Sequence, residues 1–457
     1  MRDLTCQVLI IGAGPGGYVC AIRAGQLGLD TVVVEKEAPG GTCLNVGCIP
    51  SKALIHTADE FFRMAGAAEG PLGISSSDVT LDLGKTQEWK DGVVQRLTGG
   101  VAGLMKAAGV RHVAGRARVE DGKTVVVEGE DGPLRIRCES LVIATGAAPV
   151  EVPALPFGGQ VITSTEALEL REVPERLAMV GGGYIGLEIG TAFAKMGSKV
   201  AVVEAEKRIL PQYDAALTKP VAARLEALGV ELHLEATATG LSEAGALMVE
   251  TAGNVTELPA DKVLVTVGRR PVLDGFGLGD LGLSRDGPFL RIDEVCATSM
   301  RGVYAIGDVT GAPMLAHRAI AQGKLVAEHL AGHSVGWDKR AVAAVCFTDP
   351  EVVVVGALPG EVEGAEVSQF PFQANGRALT MERTDGFVRV VHAPDTGLVL
   401  GLQAVGAGVS ELAGEFALAL EMAATLTDIA ETIHAHPTLG ETVQEAAMGG
   451  LGAALHI

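Results

Sequence analysis

The strongest constraint in this sequence is a pattern written twice. Val8-Leu9-Ile10-Ile11 runs into Gly12-Ala13-Gly14-Pro15-Gly16-Gly17, then an alanine-rich stretch to Leu27, then Thr31-Val32-Val33-Val34-Glu35. Leu177-Ala178-Met179-Val180 runs into Gly181-Gly182-Gly183-Tyr184-Ile185-Gly186, then a stretch to about Met196, then Lys199-Val200-Ala201-Val202-Val203-Glu204. Each reads as strand, glycine turn, helix, strand, with the same spacing from first glycine to closing glutamate (12 to 35, 181 to 204). In such a turn the first glycine permits the bend, the second lets backbone approach a pyrophosphate, and the third lets the helix lie close to the sheet. Gly12, Gly14 and Gly17 fit these places, as do Gly181, Gly183 and Gly186. Glu35 and Glu204 are placed to accept adenosine ribose hydroxyls. A glycine loop without a ligand is the plain alternative, and the repeated spacing argues against it. The expectation is an α/β chain with two dinucleotide sites, one for a substrate nucleotide and one for a second cofactor.

The chain has 457 residues, of which 48% are hydrophobic, enough for two to four cores. Its 56 acidic side chains outnumber 36 basic ones, a net charge of −20 that argues against nucleic acid or an anionic membrane surface as partner. The apolar run at Val8 is too short and too glycine-interrupted for a signal peptide. No stretch is long and apolar enough to span a bilayer, and seven cysteines do not suggest a secreted disulfide framework. A cytoplasmic protein is expected.

Between the repeats, Val94, Leu97, Val101, Leu104 and Ala108 recur at helical spacing within Thr86 to Ala108, as a packed structural helix. Val125-Val126-Val127 and Leu134-Arg135-Ile136 read as short antiparallel strands, followed by Leu141-Val142-Ile143-Ala144-Thr145-Gly146. Val263-Leu264-Val265-Thr266-Val267-Gly268 is a second such ending. From Ala341 onward the texture changes to four strand-like runs around Val352, Phe370, Val388 and Leu400, then a helix with Leu412, Phe416 and Leu420 on one face. Residues 341–457 hold only Arg377, Arg383 and Arg389 as basic residues and supply more than half of the net charge of −20. Such a surface is either merely solvated or a docking face for a basic partner.

Chemistry is concentrated in Gly40-Gly41-Thr42-Cys43-Leu44-Asn45-Val46-Gly47-Cys48-Ile49-Pro50-Ser51-Lys52. The two cysteines follow a glycine loop and lead into a helix expected over Ser51 to Ala68. A helix N-terminus and a nearby lysine favour thiolate, the form that attacks disulfides. Zinc would need another Cys or His pair, and no metal site is expected. Two buried structural thiols are the plain alternative.

The segment from Gly40 to Lys52 resembles the redox-active segment of the flavoprotein disulfide reductases, and the resemblance extends over essentially the whole chain. Tyr304-Ala305-Ile306-Gly307-Asp308 is similar to that family's flavin-ribityl motif, and Met314-Leu315-Ala316-His317 to its isoalloxazine-contacting turn. His434-Ala435-His436-Pro437-Thr438-Leu439-Gly440-Glu441 resembles its C-terminal catalytic motif. The resemblance implies two Rossmann-like domains, for FAD and NAD, and a C-terminal α+β dimerisation domain. It divides the chain into a first FAD-binding part (1–147), an NAD-binding domain (148–270), a second FAD-binding part (271–340) and the dimerisation domain (341–457).

By that resemblance one non-covalent FAD per subunit is held by Gly12, Gly14, Pro15, Gly17 and Glu35, with Lys36, Gly41 and Thr42 beside them. Gly115, Thr145 and Gly146 join Lys52, Asp308 and the Met314 to His317 turn. NAD, as co-substrate, falls to Gly181, Gly183, Tyr184, Ile185, Gly186, Glu188, Glu204 and Gly268. Glu204 would repel a ribose phosphate and so favours NAD over NADP, with Lys207 and Arg208 nearby as the counter-signal. Lys52 and Glu188 are expected to pair beside the flavin, where a cation could tune the ring; a surface ion pair is the alternative.

The implied mechanism is dithiol oxidation by a Cys43–Cys48 disulfide. Cys43 exchanges with substrate, Cys48 faces the flavin, His436 acts as base, Glu441 orients it, and His434 is structural. In the family the base comes from the other subunit, so a homodimer is implied. Within the family the chain looks closest to the branch that reoxidises the dihydrolipoyl group of a 2-oxoacid dehydrogenase complex, in bacterial branched-chain forms. The lipoyl group would then sit on an acyltransferase, whose basic subunit-binding domain could dock on the acidic 341–457 face. The alternatives are another disulfide reductase, such as one using glutathione, and a flavin-bearing redox scaffold.

Overall fold

The computed structural model describes residues 1–66 and 70–457. The first repeat forms a seven-stranded sheet. In it Arg2–Ile11 lies parallel between Thr31–Glu35 and Leu134–Ile143, so that Leu9 faces Val32 on one side and Leu141 on the other. Strand Arg111–Ala114 extends the parallel edge, and Thr124–Glu128 and Arg116–Asp121 turn antiparallel beyond Leu134–Ile143. The second repeat is a smaller parallel sheet in the order Glu231–Leu234, Lys199–Glu204, Arg176–Val180, Lys262–Val265, Val161–Ile162. The valines and leucines of its inner strands are buried on both faces, as expected of parallel strands, whereas Leu232 and Leu234 at the edge are half-buried.

The first sheet is completed from far along the chain. Val303–Ala305 pairs in parallel with Leu141–Ile143, and the Ala316–Leu330 helix packs on the Pro15–Gln26 helix. Gly323 allows this closeness, because a Cβ there would lie 2.3 Å from the Gly16 carbonyl oxygen. Between these parts, Ala147–Pro149 and Arg269–Pro271 form an antiparallel two-stranded ribbon where the chain leaves for the second repeat and returns.

Some expectations need correction. Leu134–Ile136 and Leu141–Ile143 are not separate strands but one ten-residue strand. Its first half pairs antiparallel with Thr124–Glu128, and its second half exchanges that neighbour for Val303–Ala305. The C-terminal sheet has five antiparallel strands rather than four: Ala344–Cys346 pairs with Glu351–Gly356 and is too short to show a pattern. The helix expected over Thr86 to Ala108 spans Leu83–Ala107, but Leu97 and Leu104 are exposed and Val94 only half-buried. Val101 is buried as expected, and Met105 points inward where Leu104 was expected to. Leu412, Phe416 and Leu420 are buried together as expected.

One apolar core ties the site elements to each other. It joins Leu54 and Ala58 of the helix after the cysteines to Leu187, Ala192 and Phe193 of the second repeat, and to Cys346, Val352 and Val405 of the C-terminal sheet.

Candidate functional site

The two glycine turns are built alike down to single hydrogen bonds. Gly12 has φ +100°, and a Cβ there would lie 2.4 Å from the Ala144 carbonyl oxygen; Gly17 has even less space, 1.9 Å from Gly12 O. Glu35 is buried and accepts from the backbone N–H of Ala13 (2.7 Å) and of Glu37 (3.0 Å). Glu204 is likewise buried and accepts from Gly182 (2.6 Å) and Glu206 (2.8 Å). Each carboxylate is thereby fixed at a strand end, and each oxygen keeps lone-pair capacity for a ribose hydroxyl. Near Glu204, Arg208 is committed to the carbonyls of Tyr213 and Pro211.

The expected loop before the first cysteine is a short helix, Gly41–Val46, and the next helix starts at Cys48 rather than at Ser51. Its described end is Ala65; the expected end at Ala68 lies outside the described residues. Cys48 is therefore the first helical residue, where unpaired N–H groups and the helix dipole favour an anion. Both cysteines are free thiols. A hydrogen bond from the Cys43 thiol pulls the Cys48 pKa down to about 7; burial opposes this, and Lys52 and the Cys48 backbone N–H add to it. Cys43 is pushed up, first by donating that bond and then by burial. The reduced pair thus holds one proton on Cys43 and a thiolate on Cys48.

One turn on, Lys52 Nζ lies 2.7 Å from Glu188 Oε2 and 4.3 Å from the centre of the Phe347 ring. The other Glu188 oxygen accepts from the Phe347 N–H at 2.9 Å. This is a fixed, half-buried pair rather than a loose surface contact.

These groups open onto one cleft of about 630 Å³. At one end it is lined by Gly12, Gly14, Pro15, Glu35 and Lys36, and farther along by Gly41, Thr42, Cys43, Cys48 and Lys52. Gly115, Thr145, Gly146, Asp308, Met314 and Ala316 also line it, whereas Gly17, Leu315 and His317 do not. Gly17 serves helix packing, and His317 Nε2 meets the Ala343 carbonyl. Of the second repeat, Tyr184, Ile185 and Glu188 reach the cleft, while Gly181, Gly183, Gly186, Glu204 and Gly268 lie outside its lining. A long cleft with a glycine turn and ribose-binding carboxylate at one end and a thiolate at mid-length suits a flavin dinucleotide.

Sequence reasoning missed Arg269 and Gln322. Arg269 lines the cleft, donates to the Ala147 carbonyl at 2.5 Å, and with Arg318 partly offsets the burial that raises the pKa of Asp308. Gln322 is buried and accepts the Gly307 N–H, fastening the turn that carries Asp308. Neither stands in a motif of its own.

The structure does not bring His436 to the cysteines. His436 Nδ1 lies 2.8 Å from Glu441 Oε1, and the other Glu441 oxygen accepts the Thr438 N–H at 2.8 Å. Partial burial opposes ionisation of Glu441, but these two partners hold its carboxyl below the usual range. No residue beyond Ala319 lines the cleft among the described residues. His434 is instead tied between Glu415 and the Thr432 carbonyl, as a structural group would be. Among the described residues, no cluster of three His, Cys, Asp or Glu side chains could hold a metal, and no helix is long and apolar enough to cross a membrane.

Residues 6–323 match the family described as pyridine nucleotide-disulphide oxidoreductase, and residues 342–447 match that family's dimerisation domain. A dihydrolipoyl dehydrogenase of Pseudomonas aeruginosa is 57% identical over 460 residues, covering 99% of each chain. One from Haloferax volcanii is 49% identical, over 98% of this chain and 97% of its own, and one from Geobacillus stearothermophilus is 44% identical, over 99% and 97%. Among solved structures, LpdA of Mycobacterium tuberculosis superposes with a TM-score of 0.88 at 28% identity, over 98% of this chain and 99% of that one. The HOCl-induced flavoprotein disulfide reductase RclA of Escherichia coli gives 0.86 at 25% identity, over 96% and 99%.

Proposed function

The chain belongs to the pyridine nucleotide-disulphide oxidoreductase family and is an FAD- and NAD-dependent dihydrolipoyl dehydrogenase, and we propose that Cys43 and Cys48 are its redox pair. The carrying observation is Cys48 at a helix N-terminus, sharing a proton with Cys43 and standing one turn before Lys52 of the Lys52–Glu188 pair, with all four side chains lining the dinucleotide cleft.

In the oxidised protein, one thiol of dihydrolipoamide loses its proton to His436 of the partner subunit, and the resulting thiolate attacks the Cys43 sulfur. The Cys43–Cys48 bond breaks and its electron pair leaves on Cys48, which the helix N-terminus and Lys52 stabilise as thiolate. The second substrate thiol then displaces Cys43, closing the cyclic disulfide of lipoamide, and its proton passes to the departing Cys43 sulfur. Glu441 holds the imidazole by Nδ1, leaving Nε2 free, and stabilises its charged form. The first glycine turn, Glu35, Asp308 and the Met314–Ala316 turn would hold FAD, which when bound would supply two-electron redox chemistry between the thiols and NAD. Glu204 accepts the NAD ribose hydroxyls.

The dimerisation domain supports a homodimer, and the relatives support work within a 2-oxoacid dehydrogenase complex. A second copy supplies the imidazole that the cleft lacks. The acidic 341–457 face receives a basic subunit-binding domain of a lipoylated acyltransferase, through contacts weakened by salt. The deciding experiment is NADH formation from dihydrolipoamide by the FAD-loaded protein. Turnover that survives Cys48→Ser would overturn the assignment.

A further inference from the structure

The Cys48–Ala65 and Tyr184–Lys195 helices are joined by two ion pairs, not one. The first is Lys52 with Glu188; the second is Asp59 with Lys195 at 2.5 Å. In both the partners are 136 residues apart, because each helix advances by the same two turns, and the charges are exchanged between helices from one rung to the next. A single C-terminal segment reaches both rungs. The Phe347 N–H binds Glu188, and Asp349 Oδ2 lies 2.7 Å from Lys195 Nζ. Asp349 is buried and also meets Arg224 (3.0 Å) and Arg383 (2.5 Å).

We propose that Asp59, Lys195 and Asp349 are positioning residues for the redox site: the second rung sets the register of the cysteine helix against its neighbour, and so the place of Lys52 and of the Cys48 sulfur. The proposal rests on the reading of Cys48 as the thiolate. One rung lets a helix tilt about the contact, whereas two rungs about 10 Å apart do not. In the second rung Lys195 and Asp349 are buried, so removing either partner leaves a charge unsatisfied. The titratable and charged groups facing Cys48 are Cys43 from the preceding short helix, Lys52 from its own helix, Glu188 from the neighbouring one, and Tyr18 from the Pro15–Gln26 helix. Asp308 faces Cys43. Of these, Lys52 is the only cation, so its displacement weakens the thiolate.

The test is the pH midpoint of iodoacetamide alkylation of the Cys43/Cys48 pair in the reduced, FAD-loaded protein, located by peptide mapping. Lys195→Met and the milder Asp59→Asn are expected to raise the midpoint by about half a unit to one unit, roughly three- to tenfold less thiolate below it. Lys195→Arg should retain the wild-type midpoint. Arg383→Gln loses a contact to the same Asp349 without touching either rung, and should leave the midpoint in place. An unchanged midpoint in both Lys195→Met and Asp59→Asn, or an equal shift in Arg383→Gln, overturns the proposal. A wild-type pair with no midpoint near neutrality would instead sink the Cys48 assignment itself.

Discussion

His436 presents its Nδ1 to Glu441 at 2.8 Å, while its side chain remains 78% exposed and apart from the cleft that holds Cys43 and Cys48. An oriented imidazole with a free Nε2 and no substrate in reach within its own chain is half of a site. His436→Gln is expected to lower dihydrolipoamide-dependent kcat by about 10²- to 10⁴-fold, the usual worth of a general base. Anaerobic reduction of the bound flavin by NADH should be unaffected, because it needs no proton from that ring. Equal loss in both half-reactions, measured by stopped flow, would contradict the role.

Dimer formation has a visible counterpart in apolar exposure. Ile433, beside the His434–His436 segment, is 95% exposed, and Met422 and Leu418 are 73% and 62% exposed. Ile433→Asp should weaken the homodimer by light scattering and reduce turnover in step with the dimer fraction. A monomer with full activity would refute the shared site.

Nucleotide choice should rest on Glu204. Its carboxylate is held by the Gly182 and Glu206 amides, and Arg208 is already bound to two carbonyls. Glu204→Ala should therefore cut kcat/KM for NAD by about tenfold or more, with little gain for NADP, because no cation is released to take the phosphate. A large gain with NADP would show that Lys207 or Arg208 can be recruited.

Acid stability should depend on Asp349. Burial alone would raise its carboxyl, but Lys195, Arg383 and Arg224 together hold it well below the usual range. A depressed folded value adds stability that is complete above the unfolded carboxyl range, near pH 4, and is lost as pH falls through the folded value. Asp349→Asn should cost about 3 to 5 kcal/mol at pH 7, with the gap to wild type narrowing below about pH 4. Denaturant titrations at pH 7 and pH 3 give the two gaps, and a gap that widens on acidification would reverse the sign.

What could be read in advance follows from which physical demands are local. Gly12 and Gly181 are required by their own positive φ, and Gly17 and Gly186 by a carbonyl five residues back, so both turns were visible, and so was the placing of Cys48 near a helix start. The His436 to Glu441 segment is equally short-range. By contrast, Asp349 gathers Lys195, Arg224 and Arg383 from three separate elements, and no spacing announces such a cluster. The continuous strand Leu134–Ile143 was hidden because its charged residues Arg135, Arg137 and Glu139 break the apolar run while the backbone continues. Arg269 reads as an ordinary loop cation until the ribbon with Ala147–Pro149 sets it in the same cleft as Asp308.

Because Val303–Ala305 and the Ala316–Leu330 helix complete the sheet begun by Arg2–Ile11, the amino-terminal unit cannot close while it is being made. A ribosome working at about 5 to 20 residues per second needs on the order of ten to thirty seconds to pass from Ile143 to Val303. Throughout that interval the side of Leu141–Ile143 that Val303–Ala305 will cover stays open, while the second repeat is being made and can fold as an insert. The cofactor pocket is thus born late, and a nascent chain stalled before Val303 would expose a sticky β-edge to its neighbours on the same polysome.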